Sequence, residues 1–159
     1  MPDIATLRRI LGTCKTIAVV GLSPQWHRPS FFAAKYMQAH GYRIVPVNPS
    51  AREILGEPSY PSVTAAAQAL AAQGQRIDLV DCFRKSEDIP TIADEAIAIG
   101  AKCLWLQIGV VNEAAAAKAR AAGLDVVMDR CVKIEHARLF GGLHWAGVNT
   151  RVISAKRPI

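Results

Sequence analysis

A chain of 159 residues, half of it apolar and a fifth charged, can bury a core as one soluble globular domain without disulfide or metal staples. No apolar run approaches the ~20 residues of a membrane helix, and the first ten residues lack the basic, apolar and small-residue order of a secretory signal, so a cytoplasmic protein without a membrane partner is expected. The formal charge of +6 is scattered except for Arg151, Lys156 and Arg157, which disfavours nucleic acid and suits a small polyphosphate ligand.

In chain order, Ile4, Leu7, Ile10 and Leu11 predict an opening helix over Asp3 to Leu11, lying across a sheet or its edge. Ile17 to Val20 reads as a strand buried on both faces, ended by Gly21 where the backbone must turn or let a ligand close. A helix follows. Pro29 suits its first position or Ser30 its N-cap, Phe32, Ala33, Tyr36 and Met37 recur at helical spacing, and Gly41 fits the stop. Strand, small-residue turn and helix N-terminus together offer unpaired N–H groups and a dipole to phosphate.

Ile44 to Val47 is the second strand, stopped by Asn48-Pro49; residues 51–61 form a loop with room for one short pairing segment, and Val63 to Ala72 a helix ending near Gly74. Ile77 to Phe83 is the third strand. Ser86 is placed as the next N-cap, with Glu87 and Asp88 in the first turn, and Ile89, Ile92, Ala93, Ala96 and Ile97 as the buried stripe before Gly100. Cys103–Leu106, a helix over Glu113 to Ala122, a fifth strand within Gly123 to Met128, and a short last helix over Glu135 to Phe140 follow. This alternation implies right-handed crossovers and a Rossmann-like, doubly wound α/β domain over residues 1–140, with a mainly parallel five-stranded sheet and helices on both faces. Residues 141–159 are expected to form an extension packed on the domain or on a partner subunit.

Ligands of such a sheet bind at the carboxyl ends of its strands. A nicotinamide dinucleotide is disfavoured there: of the G-x-G-x-x-G fingerprint only Gly21 is present, with Ser23 and Trp26 at the other places, and Asn48 replaces the acid at the end of the second strand. No phosphate-binding G-x-x-x-x-G-K-[ST] loop occurs. Cys14, Cys82, Cys103 and Cys131 have no C-x-x-C spacing and read as reduced thiols; no pair of histidines has metal-ligand spacing. Trp105, inside an apolar strand, reads as core rather than as a stacking platform. Cys131, Glu135 and His136 invite a nucleophile-and-base reading, but their spacing fixes no geometry and no catalytic residue is assigned.

The segments Ile17-Ala-Val-Val-Gly-Leu-Ser, Arg28-Pro-Ser, Pro46-Val-Asn-Pro, Asp81-Cys-Phe-Arg, Trp105-Leu-Gln-Ile-Gly-Val and Met128-Asp-Arg-Cys-Val-Lys-Ile-Glu-His are collinear over roughly residues 14 to 139. In that combination the chain resembles the small stand-alone CoA-binding proteins of the YccU-like family, and is similar to the amino-terminal CoA-binding domain of the succinyl-CoA synthetase alpha subunit. The resemblance implies coenzyme A or an acyl-CoA as ligand. Gly21, Leu22 and Ser23 would wrap the pyrophosphate or adenosine side, with Arg28 and Ser30 near the helix start; Asn48 and Pro49 would face the ribose, Phe83 and Arg84 the adenine or phosphate side, and Gln107, Ile108 and Gly109 the pantetheine path. Charge alone adds Arg52 or Lys85 for the 3′-phosphate. The synthetase's phosphohistidine domain has no counterpart, so the expected role is a carrier, sensor or accessory protein, alone, as a homo-oligomer or beside an acyl-CoA enzyme. The alternatives are an NAD(P)-dependent oxidoreductase and a ligase or transferase component completed by another chain.

Overall fold

Strands covered by helices on both sides must be apolar on both faces, and the runs of Ile, Val, Leu and Cys in this chain meet that condition. The computed structural model describes residues 2–141. Its elements are α1 (Ile4–Thr13), β1 (Thr16–Val20), α2 (Pro29–Ala39), β2 (Arg43–Val47), a hairpin of β3 (Glu53–Ile54) and β4 (Glu57–Pro58), α3 (Val63–Ala71), β5 (Leu79–Cys82), α4 (Ile89–Ala98), β6 (Cys103–Leu106), α5 (Glu113–Ala121), β7 (Asp125–Val127) and α6 (Val132–Phe140). The five long-range strands pair in parallel in the order β2-β1-β5-β6-β7. This is the doubly wound, Rossmann-like sheet that the alternation predicts. The winding direction reverses between β1 and β5, which opens a crevice at their carboxyl ends.

Alternate strand residues divide the core in two. Ala18, Val20, Val45, Val47, Val80, Leu104, Leu106 and Val126 meet α3, α4 and α5. Ile17, Val19, Ile44, Leu79, Trp105 and Val127 meet α1, α2 and α6. The small side chains Ala66, Ala93, Ala96, Ala115, Ala116 and Ala119 let the first set of helices lie close on the sheet. The second side takes the larger residues.

Several local expectations shift. Phe32, one of the residues at helical spacing in α2, is 49% exposed, while Ala34, outside that spacing, is buried. Ser86 does not cap an α-helix: a 3₁₀ turn over Ser86–Asp88 precedes α4, and the Ser86 hydroxyl accepts from the Val111 N–H at 3.0 Å. The last helix begins at Val132 rather than Glu135. Of the predicted extension, all but Gly141 lies outside the described residues.

The two sheet edges are finished differently. Along β2, the Asn48 N–H donates to the Tyr60 carbonyl and the Tyr60 N–H to that of Pro46, so the chain after β4 runs beside the strand as a strap. At the other edge β7 has three residues, and the Arg9 guanidinium clasps Asp125 with bonds of 2.9 and 3.1 Å. Among the described residues no helix is long and apolar enough to cross a membrane.

Candidate binding site at the carboxyl edge

The centre of the edge is Gly21, at the end of β1. Its φ of +85° favours glycine, and a Cβ there would sit 2.5 Å from the Phe83 carbonyl oxygen at the end of β5. Any larger residue would push these two strand ends apart. Two clefts meet at this point. One, of about 380 Å³, lies on the α2 side, between Ser23, Arg28, Ser30 and Phe83. The other, of about 360 Å³, lies towards α3 and α4, between Pro49, Pro61, Ser62 and Arg84.

Their electrostatics differ. No acidic side chain lines the α2 cleft, and Arg28, whose Nε donates to the Gln25 side-chain oxygen at 3.2 Å, stands at its mouth. Arg28 occupies the N-cap position of α2 without capping it by its side chain, so the positive end of the helix opens into the cleft. Ser30 is buried and its hydroxyl accepts from the Ser23 N–H at 3.0 Å, which fixes the turn from β1 into α2. The second cleft includes Glu87, Asp88 and Glu95. There Arg84 pairs with Asp88 at 3.2 Å, and the Glu95 carboxylate accepts from the N–H and hydroxyl of Thr64. A polyanion is favoured in the first cleft and opposed in the second.

The other sequence candidates are spread along the same edge. Leu22 is fully buried and offers a ligand no side chain; its carbonyl accepts from the Asn48 amide at 2.9 Å, while the Asn48 side-chain oxygen accepts from the Ser50 N–H. Asn48 thus braces the β1 and β2 ends. Pro49 lines the second cleft. Arg52 lies on the hairpin, in a hollow with Glu53, Gly56 and Pro58, apart from both clefts. Lys85 is exposed at the start of the 3₁₀ turn. Gln107 is buried, Ile108 is 62% exposed, and the Gly109 N–H donates to the Asp129 carboxylate at 2.7 Å. These three ride on the loop after β6 and line neither cleft.

Two features escape a reading by motif. Asp81 is a buried acid within an apolar strand; burial pushes its carboxyl up to about 7, against the opposing hydrogen bond from the Gln107 amide. The signal was one acid in the run Leu79-Val-Asp-Cys82. The second is that α6, like α2, begins without a side-chain cap: Cys131 takes that position, while Ser62 caps α3 and Asn112 caps α5. Trp105 is core, its indole N–H donating to the Arg130 carbonyl at 2.8 Å. His136 is engaged by Tyr36, whose hydroxyl lies 3.0 Å from its Nδ1, in a ring cluster with His40, Tyr42 and Phe140.

Comparison with known proteins adds a ligand class to this geometry. The family model described as a CoA binding domain matches residues 15–137. The uncharacterized protein YneT of Bacillus subtilis (strain 168) is 40% identical over 136 residues, covering 86% of this chain and 96% of that protein. A hypothetical protein from Pyrococcus horikoshii OT3 superposes with a TM-score of 0.80 at 38% identity, over 88% of this chain and 94% of that one. The dinucleotide-forming acetyl-coenzyme A synthetase 1 of Ca. Korarchaeum cryptofilum shares the fold, with a TM-score of 0.62 at 21% identity, over 76% of this chain and 26% of that one.

Proposed function

The chain belongs to the CoA-binding domain family, and from that premise we propose that it binds coenzyme A or an acyl-CoA across the carboxyl edge of its sheet, as a carrier, sensor or accessory protein without chemistry of its own. The observation that carries the placement is the meeting of two unlike clefts at Gly21, where the strand order reverses. The pyrophosphate takes the cleft without acids, against the uncapped first turn of α2, Ser23 and Arg28. The adenine base takes the other cleft beside Pro49 and Arg84, where a neutral ring suits Asp88 and Glu95 better than a phosphate would. Asn48 at the β2 end leaves no carboxylate to repel a phosphorylated ribose, and the exposed Arg52 and Lys85 remain as cations for the 3′-phosphate. Pantetheine then runs towards Gln107, Ile108 and Gly109.

Calorimetric titration with CoA, dephospho-CoA, acetyl-CoA and NAD tests this reading. CoA should bind more tightly than dephospho-CoA, acetyl-CoA about as well as CoA, and Arg28→Ala should weaken CoA roughly tenfold through loss of a charged contact. Binding of NAD alone, or of none of the four, overturns the proposal.

A further inference from the structure

Asp81 occupies the centre of the sheet, opposite Val19 on β1 and Trp105 on β6, and is 1% exposed. Its described side-chain partner is the amide of Gln107, which donates to Oδ1 and is itself 4% exposed. A carboxylate in such a place holds its charge against hydrocarbon with a single N–H to answer it. A neutral carboxyl does better: it can accept the amide N–H on one oxygen and donate its own proton to the amide oxygen.

Gln107 is also where the loop after β6 is anchored. Its carbonyl accepts from the Val110 N–H at 2.9 Å; farther along, the Gly109 N–H reaches Asp129, the Val111 N–H reaches the Ser86 hydroxyl, and the Asn112 amide reaches the Ser86 carbonyl. Its near end is held twice, by the Gln107 N–H on the Cys82 carbonyl at 3.3 Å and by the Gln107 side-chain amide on Asp81, and the second hold is the one that a change at Asp81 alters.

We propose that Asp81 is a positioning residue which, through Gln107, holds the loop of residues 107–112 against bound CoA, so that CoA binding and protonation of Asp81 favour one another. The inference rests on the CoA reading and adds its regulation. An ionised Asp81 must draw further donors from Gln107 or from entering water, and either loosens the loop. A ligand over the edge shuts out that water and makes the charge costlier still. The titratable group on Asp81's side of the sheet is the thiol of Cys103 on β6; that of Cys82, its chain neighbour, points to the opposite face, and burial holds both neutral. No charged side chain of α1, α2 or α6, which pack over this face, contributes to the upward shift of Asp81; its causes are burial and, opposing it, Gln107.

Dephospho-CoA is the probe, because the 3′-phosphate of CoA itself titrates near pH ~6. Its affinity for the unaltered protein should fall roughly fivefold between pH 6 and pH 8.5. Asp81→Asn, whose amide mimics the neutral acid, should keep the low-pH affinity throughout. Carbon-13 NMR of the Asp81 carboxyl in the unaltered protein should show its titration midpoint rising when ligand is added, a readout that needs no variant to fold. A midpoint indifferent to ligand, or affinity that does not vary with pH, sinks the linkage while leaving CoA binding intact. Failure of CoA and dephospho-CoA to bind at any pH sinks both.

Discussion

The two faces of the sheet are built from different materials. The side under α3, α4 and α5 is hydrocarbon and alanine. The side under α1, α2 and α6 carries every buried polar side chain among the described residues: Ser30, Asp81, Gln107, Glu135 and His136. The helix starts do not divide in the same way: Asp3, Ser62 and Asn112 cap α1, α3 and α5 by their side chains, while α2, α4 and α6 begin without one. One face is spent on stability, and the other keeps groups able to meet anions and exchange protons.

The contrast is tested most strongly at Asp81. Its carboxyl titrates at about 7 in the folded protein against 3.8 ordinarily. Between those values the folded state keeps a proton that the unfolded chain has released, so stability falls as pH rises from 4 to 7 and levels off above, by ~4 kcal/mol. Urea unfolding across that range should show the fall, and Asp81→Asn should abolish it. His136 acts in the opposite sense: burial, His40 and Lys15 lower its pKa, so stability is lost as pH falls below 6.5, and His136→Phe should remove that acid limb. Leu104→Ala, on the hydrocarbon face, should cost about 3 kcal/mol at every pH and leave CoA affinity alone. A pH-dependent deficit there would erase the distinction. Ser62→Ala, which strips the cap from α3, should cost ~1 kcal/mol in the same measurement. Arg9→Ala, which breaks a largely exposed pair with Asp125, should have the smallest effect of the set, smaller still in high salt.

What the sequence showed of this follows from how local each signal is. Ile17–Val20 and Cys103–Leu106 are uninterrupted apolar runs, and their alternation with helices was enough to place Gly21, Ser23, Arg28 and Ser30 at one strand end. The hairpin that carries Arg52 aside has strands of two residues each, too short for any period to register. Phe32 sits at helical spacing yet faces outward, because pattern finds a stripe without fixing its edges. The α6 start was missed since Cys131 is not a capping type. Asp81 acquires its meaning only from Gln107, 26 residues away and just past the end of the next strand.

The strap beside β2 and the brevity of β7 have a consequence for how these molecules behave in a crowd. A parallel sheet with bare rims invites a neighbour's strand to continue it. Here one rim already has its hydrogen bonds answered by the chain around Tyr60, and the other offers three residues with a clasped charge at their start. Edge-to-edge growth into fibrils therefore finds little template at either rim among the described residues.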